Sequence, residues 1–377
     1  MKNDTSNSAN SSLSGRVSSA LKTQFIADAL AMPVHWYYNP LDIERAFPGG
    51  IQRFESAPAF HPSSIMSLHS TRSGGRHHGR TGSGDQTPEV VGGLILKGRA
   101  HHWNVPNVHY HHGMGAGDNT LNAHCTRVLM RSLAASSGGY DREAFLSAYI
   151  GFMTADPPAH GDTYAESYHR GFFANLQRGL PPEQCAMITH DTPSVGGLVT
   201  VAALVFAHRL AGTALSSIQA VCRDHLALTH PDESLMRVCD RYVKLLCGLL
   251  DAPDDQGITT LLSEAGKGKP GLDVASLVKR NLPDHQVVGR LYSSACYISD
   301  SWPVVLYLAY KYREDPWLAL CVNTNLGGDN VHRGMVLGAL LGLLSDSVAT
   351  SGFEQLVAHE AIGQEIDTLI SAAVAPR

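Results

Sequence analysis

Residues 323–344 read NTNLGGDNVHRGMVLGALLGLL, a polar, glycine-broken turn that runs straight into an apolar stretch. The pair Gly327–Gly328 permits a backbone turn that a residue with a Cβ resists. Beyond it, Met335, Val336, Leu337, Leu340, Leu341 and Leu344 predict a helix buried on most sides. Gly334, Gly338 and Gly342 recur every four residues, which sets them on one helix face where a neighbouring backbone can come close. Asp329, Asn330, His332 and Arg333 are then polar groups carried at the tip of a core helix. Asp329 has two readings: an N-cap, which Asp and Asn suit whatever the function, or a functional carboxylate.

A second stretch repeats the arrangement. Residues 109–133 read HYHHGMGAGDNTLNAHCTRVLMRSL, and from Thr120 the apolar residues Leu121, Cys125, Val128, Leu129 and Leu133 fall at helical spacing. Asp118 and Asn119 therefore also precede a core helix. Two helix N-termini presenting Asp and Asn to one space would form an oxygen-lined site suited to Mg2+ or a sugar hydroxyl.

Bulk composition sets limits. The chain has 377 residues, 44% hydrophobic and 17% charged, with a net charge of −5. That balance gives no electrostatic footprint for nucleic acid, and no apolar run reaches the ~18 residues of a membrane span. Seven scattered cysteines without a C-x-x-C pair fit reduced core thiols and a cytoplasmic setting. Residues 1–14 are polar and lack an apolar signal core, so they read as a disordered tail.

Arg16–Ala31 has helical apolar spacing ended by Pro33, and then His35, Trp36, Tyr37 and Tyr38 form an aromatic-polar cluster. Residues 43–119 are rich in Gly, Pro, Ser and His, hold nine of the 20 histidines and offer only a short β-like run at Val90–Leu96. So long an irregular segment suggests a lid or a functional loop. Zinc held by these histidines is an alternative, though without a helical His pair to support it.

In GDTYAESYHRGFF, Asp162, Glu166 and Arg170 recur every four residues, as a solvated i,i+4 ladder would. Helices are predicted at Glu143–Thr154, Val195–Leu210, Leu215–Leu228, Glu233–Leu250, Val274–Asn281, Trp302–Tyr312, Trp317–Asn323, Val331–Leu344 and Phe353–Ala373. Neither G-x-S-x-G nor a P-loop occurs. The expected fold is all-α: one large helical domain over residues 15–377, interrupted by a Gly/His-rich loop at 43–119.

Taken together, ADALAMPVH ending at His35, GDNT at Gly117–Thr120, LTHPD at Leu228–Asp232 and GGDNVH at Gly327–His332 resemble the ADP-ribosylglycohydrolase superfamily in order and helix context. The resemblance implies an all-helical fold with two Mg2+ ions between Asp-rich motifs, ADP-ribose bound there, and cleavage of its glycosidic bond. It maps Asp118, Asn119 and Asp329 onto metal-binding positions and Asp118, Asp329 and His35 onto catalytic ones. Trp36, Tyr37, Gly117, Asn119, Asn122, Gly328, Asn330, His332 and Arg333 fall where substrate would bind, with His332 and Arg333 suited to a diphosphate.

The chain also departs from the family pattern. Gly117 replaces a Thr, Val331 an Asp, His332 a Thr and His35 a Glu. Fewer carboxylates imply at most one weakly held metal ion. His35 is either a general base near neutral pH or a hydrogen-bonding member of the aromatic cluster. HWYYNP, YHHGM, GDTYAESYHRGFF and GGDNVHRG are most similar to the branch of J-type crystallins and selenoprotein J. The expected function is therefore a hydrolase acting on an ADP-ribose-like ligand or ADP-ribosylated substrate. A catalytically silent binding or crystallin-like structural protein is the alternative.

Overall fold

A computed structural model describes residues 2–64, 66, 89–189, 191–251 and 253–375. Sixteen α-helices occur among them. The first half of the described chain carries α1 (Lys2–Ala31), α2 (Pro40–Ala46), α3 (Leu121–Ala135), α4 (Arg142–Met153), α5 (Ser167–Gln177), α6 (Val201–Leu210), α7 (Leu215–Ala227) and α8 (Glu233–Leu250). The second half carries α9 (Asp255–Ala265), α10 (Val274–Lys279), α11 (Asp284–Val287), α12 (Ile298–Lys311), α13 (Pro316–Asn325), α14 (Asn330–Leu344), α15 (Ser347–Gly352) and α16 (His359–Val374). The fold is all-α, and the described residues hold no strand, only isolated bridges. None of their helices is singly long and apolar enough to cross a membrane.

Several expected boundaries move. The polar first residues belong to α1, so the division between tail and domain after Ser14 falls inside a helix. The β-like run at Val90–Leu96 is a tight turn with one bridge, Val91 to Ile95. The C-terminal helix expected over Phe353–Ala373 is split, because Phe353–Gln355 is a short 3-10 turn before α16. From 43 to 119 the described chain is largely irregular, as expected. The middle of that loop, residues 67–88, lies outside the described residues.

The core is organised around α1 and α14, which pack more extensively on each other than any other helix pair. A Cβ on Gly342 would lie 2.6 Å from Ala20 Cα, and one on Gly338 would lie 2.8 Å from the Thr23 carbonyl. The glycine face thus lets the two backbones touch, and the pairing of 342 with 20 and 338 with 23 makes the helices antiparallel. That brings the end of α1 beside the start of α14.

There the chains are stapled together. Trp36 N donates to the Gly328 carbonyl at 2.8 Å, and Gly328 N donates to the Tyr37 carbonyl at 2.7 Å. Gly327 and Gly328 sit at φ +65° and +66°, and a Cβ on either would lie 2.1 Å from a backbone oxygen, that of Tyr37 or Ser294. Only glycine fits both the conformation and the space.

Candidate functional site

Five of the sixteen described α-helices start on a local carboxylate. Asp141, Asp232, Asp254, Asp273 and Asp315 each accept a hydrogen bond from a backbone N–H in the first turn. Asp329 stands at the N-cap of α14, yet its side chain makes no capping bond. Its Oδ1 instead faces His332 Nδ1 at 2.8 Å and His35 Nε2 at 3.3 Å, while its buried Oδ2 has no hydrogen-bond partner. The capping reading of Asp329 is therefore wrong.

The start of α3 is held by carboxylates from elsewhere in the chain. Asp28 on α1 accepts from Thr120 N at 2.8 Å and Thr120 Oγ1 at 2.6 Å. Asp162 Oδ2 accepts from Leu121 N at 2.8 Å. Asp162 precedes α5, so the Asp162–Glu166–Arg170 ladder does not form. Asp162 and Arg170 are buried, and the Arg170 guanidinium lies over the Trp103 ring.

From Asp162 a buried chain of titratable groups runs to α14. Asp162 Oδ1 lies 2.8 Å from His111 Nδ1, and His111 Nε2 lies 2.7 Å from His35 Nδ1. His35 leads to Asp329 and then to His332. His332 Nε2 meets Asn122 Nδ2 at 2.5 Å and Glu166 Oε1 at 3.1 Å. Asn122, in the first turn of α3, also takes hydrogen bonds on Oδ1 from Tyr168 Oη at 2.6 Å and His169 Nε2 at 2.9 Å.

The electrostatics follow from this packing. Burial alone would raise the carboxyl of Asp329, but His332 and His35 outweigh it and hold the group well below the usual range. Burial likewise opposes ionisation of His332, yet Asp329 and Glu166 hold its pKa well above the ordinary value. His35, with burial as the largest effect and two histidine neighbours, is pushed down to about 3.

His332 opens onto a narrow cavity of about 30 Å³ lined by Trp36, Tyr164, Glu166, Tyr168, Asp191, Ser194, Gly196 and Cys296. That space holds one or two waters and no sugar. Asp191 Oδ2 accepts from Ser167 Oγ at 2.8 Å. Trp36 occupies φ +65°, a conformation uncommon outside glycine that often marks functional turns. Its ring stacks on His35 at 4.7 Å.

Of the residues expected from the sequence, His35, Trp36, Asn122, Gly328, Asp329 and His332 come together here. The others are placed differently. Asp118 folds its carboxylate onto Gly115 N at 2.8 Å. Asn119 spends its amide nitrogen on Asp28 and the Phe25 carbonyl, both at 2.9 Å. A Cβ on Gly117 would lie 2.5 Å from the Gln355 carbonyl, so this glycine serves chain packing.

Tyr37 is buried against His61, and Asn330 Nδ2 bonds the Val34 and Thr324 carbonyls. Arg333 is fully buried and donates to Asn323, Ser294 and Gly327. Its fork is committed to protein oxygens, which removes it from diphosphate recognition. Among the described histidines of the expected loop, His61 and His109 are similarly engaged, bonding the His35 and Pro33 carbonyls. Glu166, Asp162, Asp191, His111, Tyr168 and His169 were not picked out as site residues, although the quoted YHHGM and GDTYAESYHRGFF stretches contain most of them.

The binuclear Mg2+ centre implied by the family resemblance does not fit these residues. A hard dication wants several carboxylate or carbonyl oxygens. The one group of donors among the described residues that could hold an ion is His35, Asp329 and His332, whose donor atoms all lie within 4.8 Å of one another.

Comparison with known proteins agrees with this fold. A family model for ADP-ribosylglycohydrolase matches residues 9–362, and the chain belongs to that family. A solved structure titled "ADP-ribosylglycohydrolase-related protein complex" superposes with a TM-score of 0.55 at 15% identity, over 96% of this chain and 99% of that one. That likeness is one of fold. No curated protein matches the chain in sequence.

Proposed function

We propose that the protein is a hydrolase cleaving a glycosidic bond of ADP-ribose or a related nucleoside or sugar conjugate at the cavity beside His332. The observation that carries this reading is the meeting of Glu166 and His332 there, with Asp191 on the same wall. Glycoside hydrolysis through an oxocarbenium-like transition state uses a pair of carboxyl groups, one serving as acid and the other as base or nucleophile. Glu166, held by His332, is the group that activates water, and Asp191 is its partner. Asp329 acts behind them, orienting the imbedded imidazole through its contact with Nδ1.

Trp36, Tyr164 and Tyr168 offer flat faces for a base or sugar. A sugar enters once these aromatic walls part, since the cavity as it stands takes only water. One carboxylate standing with two imidazoles supports the weakened Mg2+ affinity expected from the sequence. Seven buried, unpaired cysteines support a reducing, cytoplasmic compartment. The second reading, a silent binding or structural protein like the J-type crystallins, is favoured by the same narrow cavity.

The test is calorimetric titration with ADP-ribose, followed by release of ADP-ribose from ADP-ribosylated peptides. Wild type is expected to bind and cleave. Glu166→Gln is expected to bind with similar affinity and to turn over at least ~100-fold more slowly. Folded wild type that binds no ADP-ribose and cleaves nothing would overturn the hydrolase reading in favour of the silent one.

A further inference from the structure

The buried chain of hydrogen bonds brings His35 Nε2 and His332 Nδ1 together on the Asp329 carboxylate. Asp162 accepts from Leu121 N and Tyr164 N, so it is ionised and His111 Nδ1–H donates to it. With His111 neutral, its Nε2 is an acceptor and the hydrogen between it and His35 belongs to His35 Nδ1. This leaves His35 Nε2 with a lone pair 3.3 Å from Asp329 Oδ1. Two electron pairs facing each other in a fully buried space need a positive charge beside them, supplied in the metal-free site by a proton on one of the histidines and in the loaded site by a metal ion.

We propose that His35 Nε2, Asp329 and His332 Nδ1 together hold a single divalent transition-metal ion of the zinc class, in place of a pair of Mg2+ ions. Three features favour a metal over a proton. Asp329 Oδ2, fully buried and without a partner, gains one from a metal, whereas a proton shared with His35 satisfies only Oδ1. The donor set of two imidazoles and one carboxylate suits borderline transition metals and is poor for Mg2+. Both imidazoles also carry the outer partners that metal-bound histidines use to fix their tautomers. His35 Nδ1 leads through His111 to the Asp162 carboxylate, and His332 Nε2 faces Glu166 Oε1 at 3.1 Å.

A metal on His332 Nδ1 also assigns the hydrogen on the other ring nitrogen. Nε2–H then donates to Glu166, and the neighbouring Asn122 presents its oxygen to the imidazole rather than its nitrogen. Tyr168 Oη accepts from the turned amide. His169 follows, with Nε2 as acceptor and Nδ1–H donating to Tyr149 Oη at 2.5 Å. Every partner in the network has a consistent role in that state.

The 377-residue chain, stripped with a chelator and checked for helical circular dichroism, is titrated separately with Zn2+, Co2+ and Mg2+. One equivalent of Zn2+ is expected to bind and excess Mg2+ not to compete. Bound Co2+ is expected to show visible ligand-field absorption. His35→Gln and Asp329→Asn are expected to lose at least ~100-fold in Zn2+ affinity, and His111→Ala, acting only on the ligand's partner, about 10–100-fold. Folded wild type that takes up no stoichiometric Zn2+, or Zn2+ binding that His35→Gln leaves unchanged, would overturn the proposal and leave a proton in the gap. The titration uses no ADP-ribose, so its failure leaves the hydrolase reading standing, and failure of that reading leaves the metal site standing.

Discussion

Asn122 Nδ2 lies 2.5 Å from His332 Nε2, joining the first turn of α3 to the first turn of α14 across 210 residues of chain. The two helix tips meet through these side chains, not through Asp118 and Asp329. Asn122 also serves Tyr168 and His169, so one amide organises three buried polar partners.

Replacing Asn122 by leucine keeps the volume and removes the amide. Three buried groups lose a partner, and each such loss costs ~1–3 kcal/mol where water cannot replace it. Partial relaxation brings the expected total to roughly 2–4 kcal/mol, read as a lower urea midpoint at unchanged m-value. A change below about 1 kcal/mol would show that the amide does not hold the helix tips together.

Gly328→Ala tests the staple between α1 and α14. The substitution meets a strained φ of +66° and the Ser294 oxygen 2.1 Å from the new Cβ. Gly113→Ala is the control, since that glycine has φ +84° and open space around its Cβ position. The control is expected to cost about 1 kcal/mol from backbone strain alone, and Gly328→Ala about 3 kcal/mol or more. Equal losses in urea unfolding would mean that the loop shifts to make room.

Much of this architecture can be read from the sequence for identifiable reasons. Gly334, Gly338 and Gly342 at four-residue spacing announce a close helix contact because helical periodicity fixes which residues share a face. His332 and Asn122 stand out because they sit on polar tips of apolar helices. Asp162 and Glu166 mislead, because their spacing mimics a helix that begins only at Ser167. Their partners His111 and His332 lie far away in sequence, and no periodicity encodes a contact of that kind. Asp118 misleads in the opposite way: its motif context suggests a ligand, while its carboxylate closes its own turn.

Arg333 separates a structural role from a ligand-binding one. Burial pulls its pKa down to about 10, so it stays charged at neutral pH and holds Asn323, Ser294 and Gly327 in place. Arg333→Lys keeps the charge but loses the planar fork. We expect a loss of about 3–5 kcal/mol in stability, with the remaining folded protein binding ADP-ribose as wild type does. A variant of normal stability that binds a diphosphate ligand less tightly would restore Arg333 to the binding site.

Acid sensitivity is expected to come from buried neutral histidines before any carboxylate. His225, bonded to Tyr140 and Thr200, is pushed by burial to about 3, against ~6.5 in the unfolded chain. Below pH ~6.5 the unfolded state binds a proton that the folded state refuses, so stability falls with pH across the window from ~6.5 to about 3. His61 and His160, also lowered by burial to about 4, act in the same direction. His332 acts oppositely: its raised pKa adds stability that is fully present in acid and lost as pH rises through that value. The depressed carboxyls of Asp162 and Asp329 begin to lose their contribution only below ~3.9. Urea unfolding at pH 7, 6 and 5 is therefore expected to show falling stability, with each such histidine contributing up to ~1.4 kcal/mol per pH unit. His225→Gln keeps hydrogen-bonding capacity and removes the titration, so it is expected to flatten the slope by up to about one proton. A slope unchanged in His225→Gln would mean that this imidazole takes up its proton while still folded.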